Sequence, residues 1–425
     1  MFSRKSYIIT ILIVIFLPGI SLCQLTFGDA IFNDNIRTVQ AYPVENPLGY
    51  PFIALNSGEQ LEFHFDILDS EFETYNYGVI HCTYDWKMDE LRTSEYLQGF
   101  QVQSIQQMDA GFNTMYEFVH YSFTYPNDMS KPRISGNYAM IIFSGSDIMD
   151  KSSWIITYRF LIYENFVSVN SNVGASSDVS RRYSSQEVDF DIGYKGFTIY
   201  DPMRQINVSI LQNMRWNNAV TGLKPIFIKP DVLTFDYSTG ENVFYGGSEW
   251  RNFEVKDIRY VSAEVSSITK EPDGYHIHLR PDIPEGRKAY VSWSDLNGNY
   301  LVKNDDAGDS DLEADYVWVH FQLVMPEIPE SDICIEGEFN AFSQQPTKCT
   351  YNKINGAYEC AILLKQGYYN YRYFIRDKYY ASDEIQKTEG SYTSTENDYH
   401  IIVYMYDRNL SADRIIAVKA DNSVR

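Results

Sequence analysis

The sequence predicts an all-β protein built of tandem immunoglobulin-like or fibronectin-like β-sandwich domains, and three observations carry that expectation. Short alternations of aromatic or β-branched residues with polar ones recur from Leu25 onward, the period-two pattern of strands. Asn, Asp, Gly and Pro punctuate them where turns are needed. No long helical period interrupts the series, which argues against a parallel α/β sheet. The clearest alternation is residues 365–374, K-Q-G-Y-Y-N-Y-R-Y-F. There Tyr369, Tyr371 and Tyr373 alternate with Asn370 and Arg372, predicting a strand with two differently solvated faces that opens at the turn residue Gly367.

The first residues read as a targeting segment. Arg4 and Lys5 form a basic start, Tyr7 to Leu17 an apolar stretch, and Pro18-Gly19 a break before Ser21-Leu22-Cys23, so residues 1–23 are expected to be a signal peptide cleaved before Gln24. Acylation of Cys23 is the competing reading. Leu22 stands where a lipobox requires a small residue, which favours cleavage without a lipid. The run is short for a bilayer span, and no later segment is long and apolar enough for a transmembrane helix.

A chain of 425 residues suggests about two to four domains. Residues 24–166 are expected to form the first sandwich. Its strands are Ile53–Leu55, Leu61–Ile67, Tyr77–Tyr84, Tyr116–Tyr125, Gly136–Phe143 and Trp154–Tyr163, with Met88–Phe100 helical or irregular. Residues 167–313 form a second sandwich with an acidic linker at its end, using Val188–Tyr194, Ile206–Leu211, Leu233–Tyr237, Glu254–Val261, Tyr275–Leu279 and Ala289–Trp293, with a turn at Leu296-Asn297-Gly298-Asn299. Asp305, Asp309 and Asp311 near Gly308 raise a calcium loop as an alternative, but the spacing does not fit the twelve-residue EF-hand pattern. Residues 314–425 form a third sandwich, starting at Tyr316–Leu323. Its turn around Ile335 to Phe342, followed by the Gly367 strand, resembles the early-set sandwich modules of glycogen-active enzymes. In those modules a tryptophan stands where this chain has Phe342.

Charge and composition narrow the function classes. A net charge of −22, from 57 acidic and 35 basic residues, repels nucleic acid and anionic lipid. Cys82, Cys334, Cys349 and Cys360 lack C-x-x-C spacing, so one disulfide among the last three and a set of free thiols both remain open. His276 and His278 share a strand face and are the one histidine pair with ligand spacing; two solvent-facing histidines are the simpler account, and no metal or other cofactor is expected. Nucleophile elbows, H-E-x-x-H and phosphate-cradling loops are absent, so no catalytic residue is nominated. The 35 tyrosines fit either a gripping aromatic surface or strand preference.

One resemblance spans nearly the whole chain after residue 24. His81-Cys82-x-x-x-Trp86, Glu95-Tyr96-Leu97-x-Gly99-Phe100 and Ser135-Gly136-Asn137-Tyr138 are followed by Gln212-Asn213-x-Arg215-Trp216, Gly246-Gly247-x-Glu249-x-Arg251 and Leu364-Lys365-Gln366-Gly367-Tyr368. This ordered set resembles the plug protein family of the bacterial type IX secretion system, formerly a family of unknown function. The resemblance implies a non-enzymatic periplasmic factor at the outer membrane that closes the translocon β-barrel from below, with no small-molecule substrate. His81, Trp86, Gln212, Asn213, Trp216, Arg251, Gln366 and Gly367 carry the match, as partner contacts or as scaffold. A glycan-binding or polysaccharide-processing accessory protein is the alternative, motivated by the last module and its aromatic strands.

Overall fold

The computed structural model describes residues 25–286, 288–340, 347–377 and 383–424. The signal segment, Cys23 and Phe342 lie outside the described residues. The chain is all-β, as the strand grammar predicts, with its sheets packed around three large apolar cores that mark a first, second and third sandwich, and among the described residues no helix is long and apolar enough to cross a membrane.

In the first sandwich, one sheet runs Ala30–Ile31, Trp154–Tyr163, Gly136–Phe143, Asn76–Cys82 and Val102–Ser104, with Phe52–Ala54 parallel to Trp154–Tyr163. Facing it are Ile36–Pro43, Leu61–Leu68, Phe118–Tyr125 and Gln107–Ala110. Between the sheets lie Phe63, Phe65, Tyr121, Tyr125, Tyr138 and Phe160. The Met88–Phe100 stretch holds one short helix, Thr93–Tyr96.

Gly136–Phe143 is buried at every residue. Tyr138, Met140 and Ile142 enter the first core, while Ala139, Ile141 and Phe143 enter a separate cluster with Leu211, Ile402, Tyr404 and Ile415 of the second sandwich. A strand covered on both faces has no reason to alternate apolar with polar, and this one reads as an unbroken apolar run from Tyr138 to Phe143.

The second sandwich packs Ser168–Ala175, Ser185–Gly193, Val232–Phe235 and Phe227–Lys229 against Val220–Leu223, Ile206–Gln212, Asp398–Asp407 and Ala412–Asn422. The third is one ten-stranded sheet system whose path begins at Arg251–Glu254 and ends at Val265–Glu271, with Gly367–Asp377 next to the first of these. Strand pairing therefore departs from the linear 167–313 and 314–425 division. Arg251–Glu254 and Tyr300–Val302 both pair with Gly367–Asp377, and Asp398–Asp407 pairs with Ile206–Gln212. The two sandwiches exchange segments, which makes them one interlocked body.

Three local expectations are corrected. The strand expected at Glu254–Val261 is instead Arg251–Glu254 followed by a turn. Residues 289–293 form no strand; Trp293 Nε1 donates to the Trp250 carbonyl at 2.9 Å and Tyr290 bonds Glu249, so side chains rather than a ladder hold this loop. The turn after it does form, with both Asn297 and Gly298 at positive φ. The Tyr369 strand does not have one solvated face. Tyr369, Tyr371 and Tyr373 fill the third core, and Asn370 and Arg372 on the opposite face are buried as well.

Candidate functional site

The three sandwiches meet around a cavity of about 90 Å³ lined by Tyr50, Tyr158 and Arg159 of the first, Trp216 of the second, and Glu338 and Phe339 of the third. Its wall carries an arginine packed against two indoles that also touch each other. The Arg159 guanidinium lies 5.3 Å from the Trp86 ring centroid and 5.1 Å from that of Trp216, and the two indoles meet edge to face at 4.9 Å. Asp29 takes the remaining charge at 2.6 Å. Trp86 sits at the tip of the Thr83–Lys87 turn with φ +63°, a left-handed conformation unusual for so bulky a residue. Its indole Nε1 is buried without a hydrogen-bond partner among the described residues.

Glu338 lines the same cavity and is half-buried. Burial pushes its carboxyl up to about 8, Asp29 adds to the rise, and a hydrogen bond from the Tyr300 backbone opposes it. The cavity thus offers a carboxyl held well above the ordinary glutamate range, two tyrosines and a guanidinium paired with Asp29. Among the described residues its lining contains no serine, cysteine or histidine.

The positions singled out from sequence divide into two groups. Trp86, Asn213 and Trp216 come together at this junction. Asn213, at φ +53°, donates from its side-chain amide to Asn397 Oδ1 at 2.9 Å, its backbone N–H donates to the Asp398 carbonyl, and its Oδ1 accepts from the Asp398 N–H. Gln212 beside it donates to the Tyr245 carbonyl and the Tyr399 hydroxyl.

The remaining four do not join the cavity. His81 is fully buried against Asp89 inside the first sandwich, so close to Gly136 that any side chain there would overlap its ring. Arg251 is a buried cross-tie, with Nη1 2.8 Å from Asp282 and Nε 2.9 Å from Glu389. Gln366 accepts from the Asp315 backbone and donates to the Lys256 carbonyl. A Cβ on Gly367 would overlap the Leu301 carbonyl oxygen, so this glycine is required by close strand approach rather than by a turn.

His276 is buried, contrary to the solvent-facing expectation. Its Nδ1 lies 2.8 Å from His320 Nε2, and its other nitrogen lies 3.0 Å from Asp273 Oδ1. His278 stacks on His320 with centroids 4.4 Å apart instead of sharing a ligand position with His276. Arg159, Tyr158 and Glu338 were missed by sequence reasoning, because the first two are unremarkable in their strand and Glu338 in its short 3-10 turn, and they gain meaning only where three sandwiches converge.

Comparison with known proteins bears on this junction. The first-domain model of type 9 secretion system plug proteins matches residues 36–164, the region that supplies Tyr50, Trp86, Tyr158 and Arg159. The chain belongs to the type 9 secretion system plug family. Within the plug-family chain the matched segment is the first sandwich almost in full. A crystal structure of a hypothetical protein from Parabacteroides merdae ATCC 43184 is similar over 94% of this chain and 100% of its own, at 31% identity and a TM-score of 0.88. That likeness extends across all three sandwiches of the plug-family chain. A comparison with curated proteins returns no match.

Proposed function

We propose that this protein is a periplasmic plug that binds the outer-membrane type IX translocon barrel and seals its pore from the periplasmic side until substrate is exported. The family match over residues 36–164 is the observation that carries this reading. Physical features support it. A wide β-barrel encloses a water-filled lumen that leaks unless something occupies or caps it. A cap must resist deformation, and here two sandwiches share strands while apolar clusters join the first sandwich to each of the others. The tyrosines that motivated a glycan-binding alternative, Tyr369, Tyr371 and Tyr373, are core residues and do not present their rings for stacking on a sugar.

The test is purification of the translocon barrel from cells producing this chain. Stoichiometric co-purification is expected, together with increased outer-membrane permeability on deletion of the chain. A barrel that purifies alone and a deletion without a permeability change would sink the proposal.

A further inference from the structure

We infer that Cys349 and Cys360 are an oxidisable pair that forms a disulfide locking a corner of the third sandwich. The strand Thr347–Asn352 changes partners halfway along. Its first half pairs with Ile333–Ile335 through Ile333↔Cys349, and its second half with Ala357–Glu359 through Thr350↔Glu359. Cys349 is thus the last residue of one ladder, and Cys360 follows the first residue of the other. The two side chains meet where the chain passes from one sheet segment to the next.

Their sulfurs are 3.0 Å apart. Non-bonded heavy atoms rest at roughly 3.5–4.0 Å, and a disulfide at roughly 2.05 Å. The pair is therefore already inside contact distance, and small rotations about the Cα–Cβ bonds close the remainder.

Strand alternation sets the other cysteines apart from this pair. Ile333, Ile335 and Cys349 enter the third core, whereas Cys334 alternates to the opposite face and pairs across the ladder with Lys348. Cys82 lies in the cluster between the first and second sandwiches.

The chemistry follows from exposure. Cys349 is buried, and the hydrogen bond with Cys360 together with burial holds its thiol well above the usual range. Cys360 is half-exposed and borders an open cleft, so it is the sulfur an oxidant reaches. The Cys360 thiolate attacks the disulfide of a small or protein dithiol oxidant, and one thiol leaves with a proton. Cys349 then gives up its proton, attacks the Cys360 sulfur and expels the second thiol. Two S–H bonds become one S–S bond, and the oxidant takes up two electrons and two protons.

The test is independent of the plug reading, because it uses the purified full chain with oxidised glutathione as the probe. Free thiols are blocked and the chain is digested with trypsin without reduction. Cleavage after Lys348, Lys353 and Lys365 releases 349–353 and 354–365 as separate peptides. The expected product is these two peptides linked, two hydrogen masses below their sum, lost on reduction and retained in Cys82→Ser. The oxidised chain should also melt about 5 °C above the reduced one, and that difference should vanish in Cys360→Ser. Unlinked peptides carrying the thiol block, a persistent glutathione adduct on Cys360, or linkage of Cys349 to Cys334 would each overturn the inference.

Discussion

Lys365 Nζ lies 2.6 Å from Asp66 Oδ2, with both side chains almost completely shielded from solvent, and this ion pair joins the third sandwich to the first. Asp66 also meets His120 Nδ1 at 2.7 Å and accepts from the Tyr316 hydroxyl at 2.6 Å. Lys365 packs over the Phe118 ring at 4.1 Å. Burial alone would raise the Asp66 carboxyl, but Lys365 and His120 outweigh it and hold the group below the ordinary aspartate range.

Removing one partner strands the other. Lys365→Met is expected to destabilise the chain by about 3–5 kcal/mol in urea unfolding, and adding Asp66→Asn should recover part of that loss. The sign with pH follows from the depressed carboxyl. Its stabilisation is present above the unfolded aspartate value and lost as pH falls through the lower folded value, so Asp66→Asn should flatten the acid limb of a stability profile.

Glu338 predicts the opposite slope. Its folded value of about 8 lies above the ordinary glutamate value of 4.5, so the folded state holds the proton more tightly than the unfolded chain. Stability falls as pH rises between those values and levels off above the upper one. Glu338→Gln should abolish that decline and, allowing for exposure to the cavity, raise stability at pH 8 by about 2 kcal/mol. Thermal melts of both proteins across pH 5–9 check it, and parallel profiles would refute it.

Trp216 packs against Arg159 and supports Trp86 in its left-handed turn. Trp216→Ala should cost about 2–4 kcal/mol and accelerate amide exchange at residues 83–87, while Trp216→Phe should retain most of the protection. Equal exchange in the alanine variant and the native chain would show that this packing does not hold the turn.

Two glycines should respond differently to alanine. At Gly367 the added methyl group overlaps the Leu301 carbonyl, and a loss of at least ~2 kcal/mol is expected. At Gly174, in the strand Ser168–Ala175, the nearest atom is the Asn172 Nδ2 at 3.9 Å, and the change should stay within about 0.5 kcal/mol. Denaturant midpoints of the two variants measured side by side decide it.

The all-β class and many of the strand positions were legible in the sequence, because alternation and turn residues are local signals. Tyr369, Tyr371 and Tyr373 announced a strand without any knowledge of its neighbours. The partners of each strand were not legible. A backbone edge accepts any strand of suitable register, so nothing in Arg251–Glu254 or Asp398–Asp407 reveals that each pairs across the linear domain boundary. Burial of Asn370 and Arg372 was hidden for a related reason. A polar residue looks solvent-facing until Glu336 and Trp250 are brought against Arg372, with Nε 2.7 Å from Glu336 and the guanidinium 4.2 Å from the indole centroid. The family motifs likewise marked Trp86 and Trp216 as a pattern, but only tertiary structure packed Arg159 against both and brought Glu338 into the same cavity. Local sequence determined which residues could form strands and cores; long-range packing decided which of those strands, charges and indoles met.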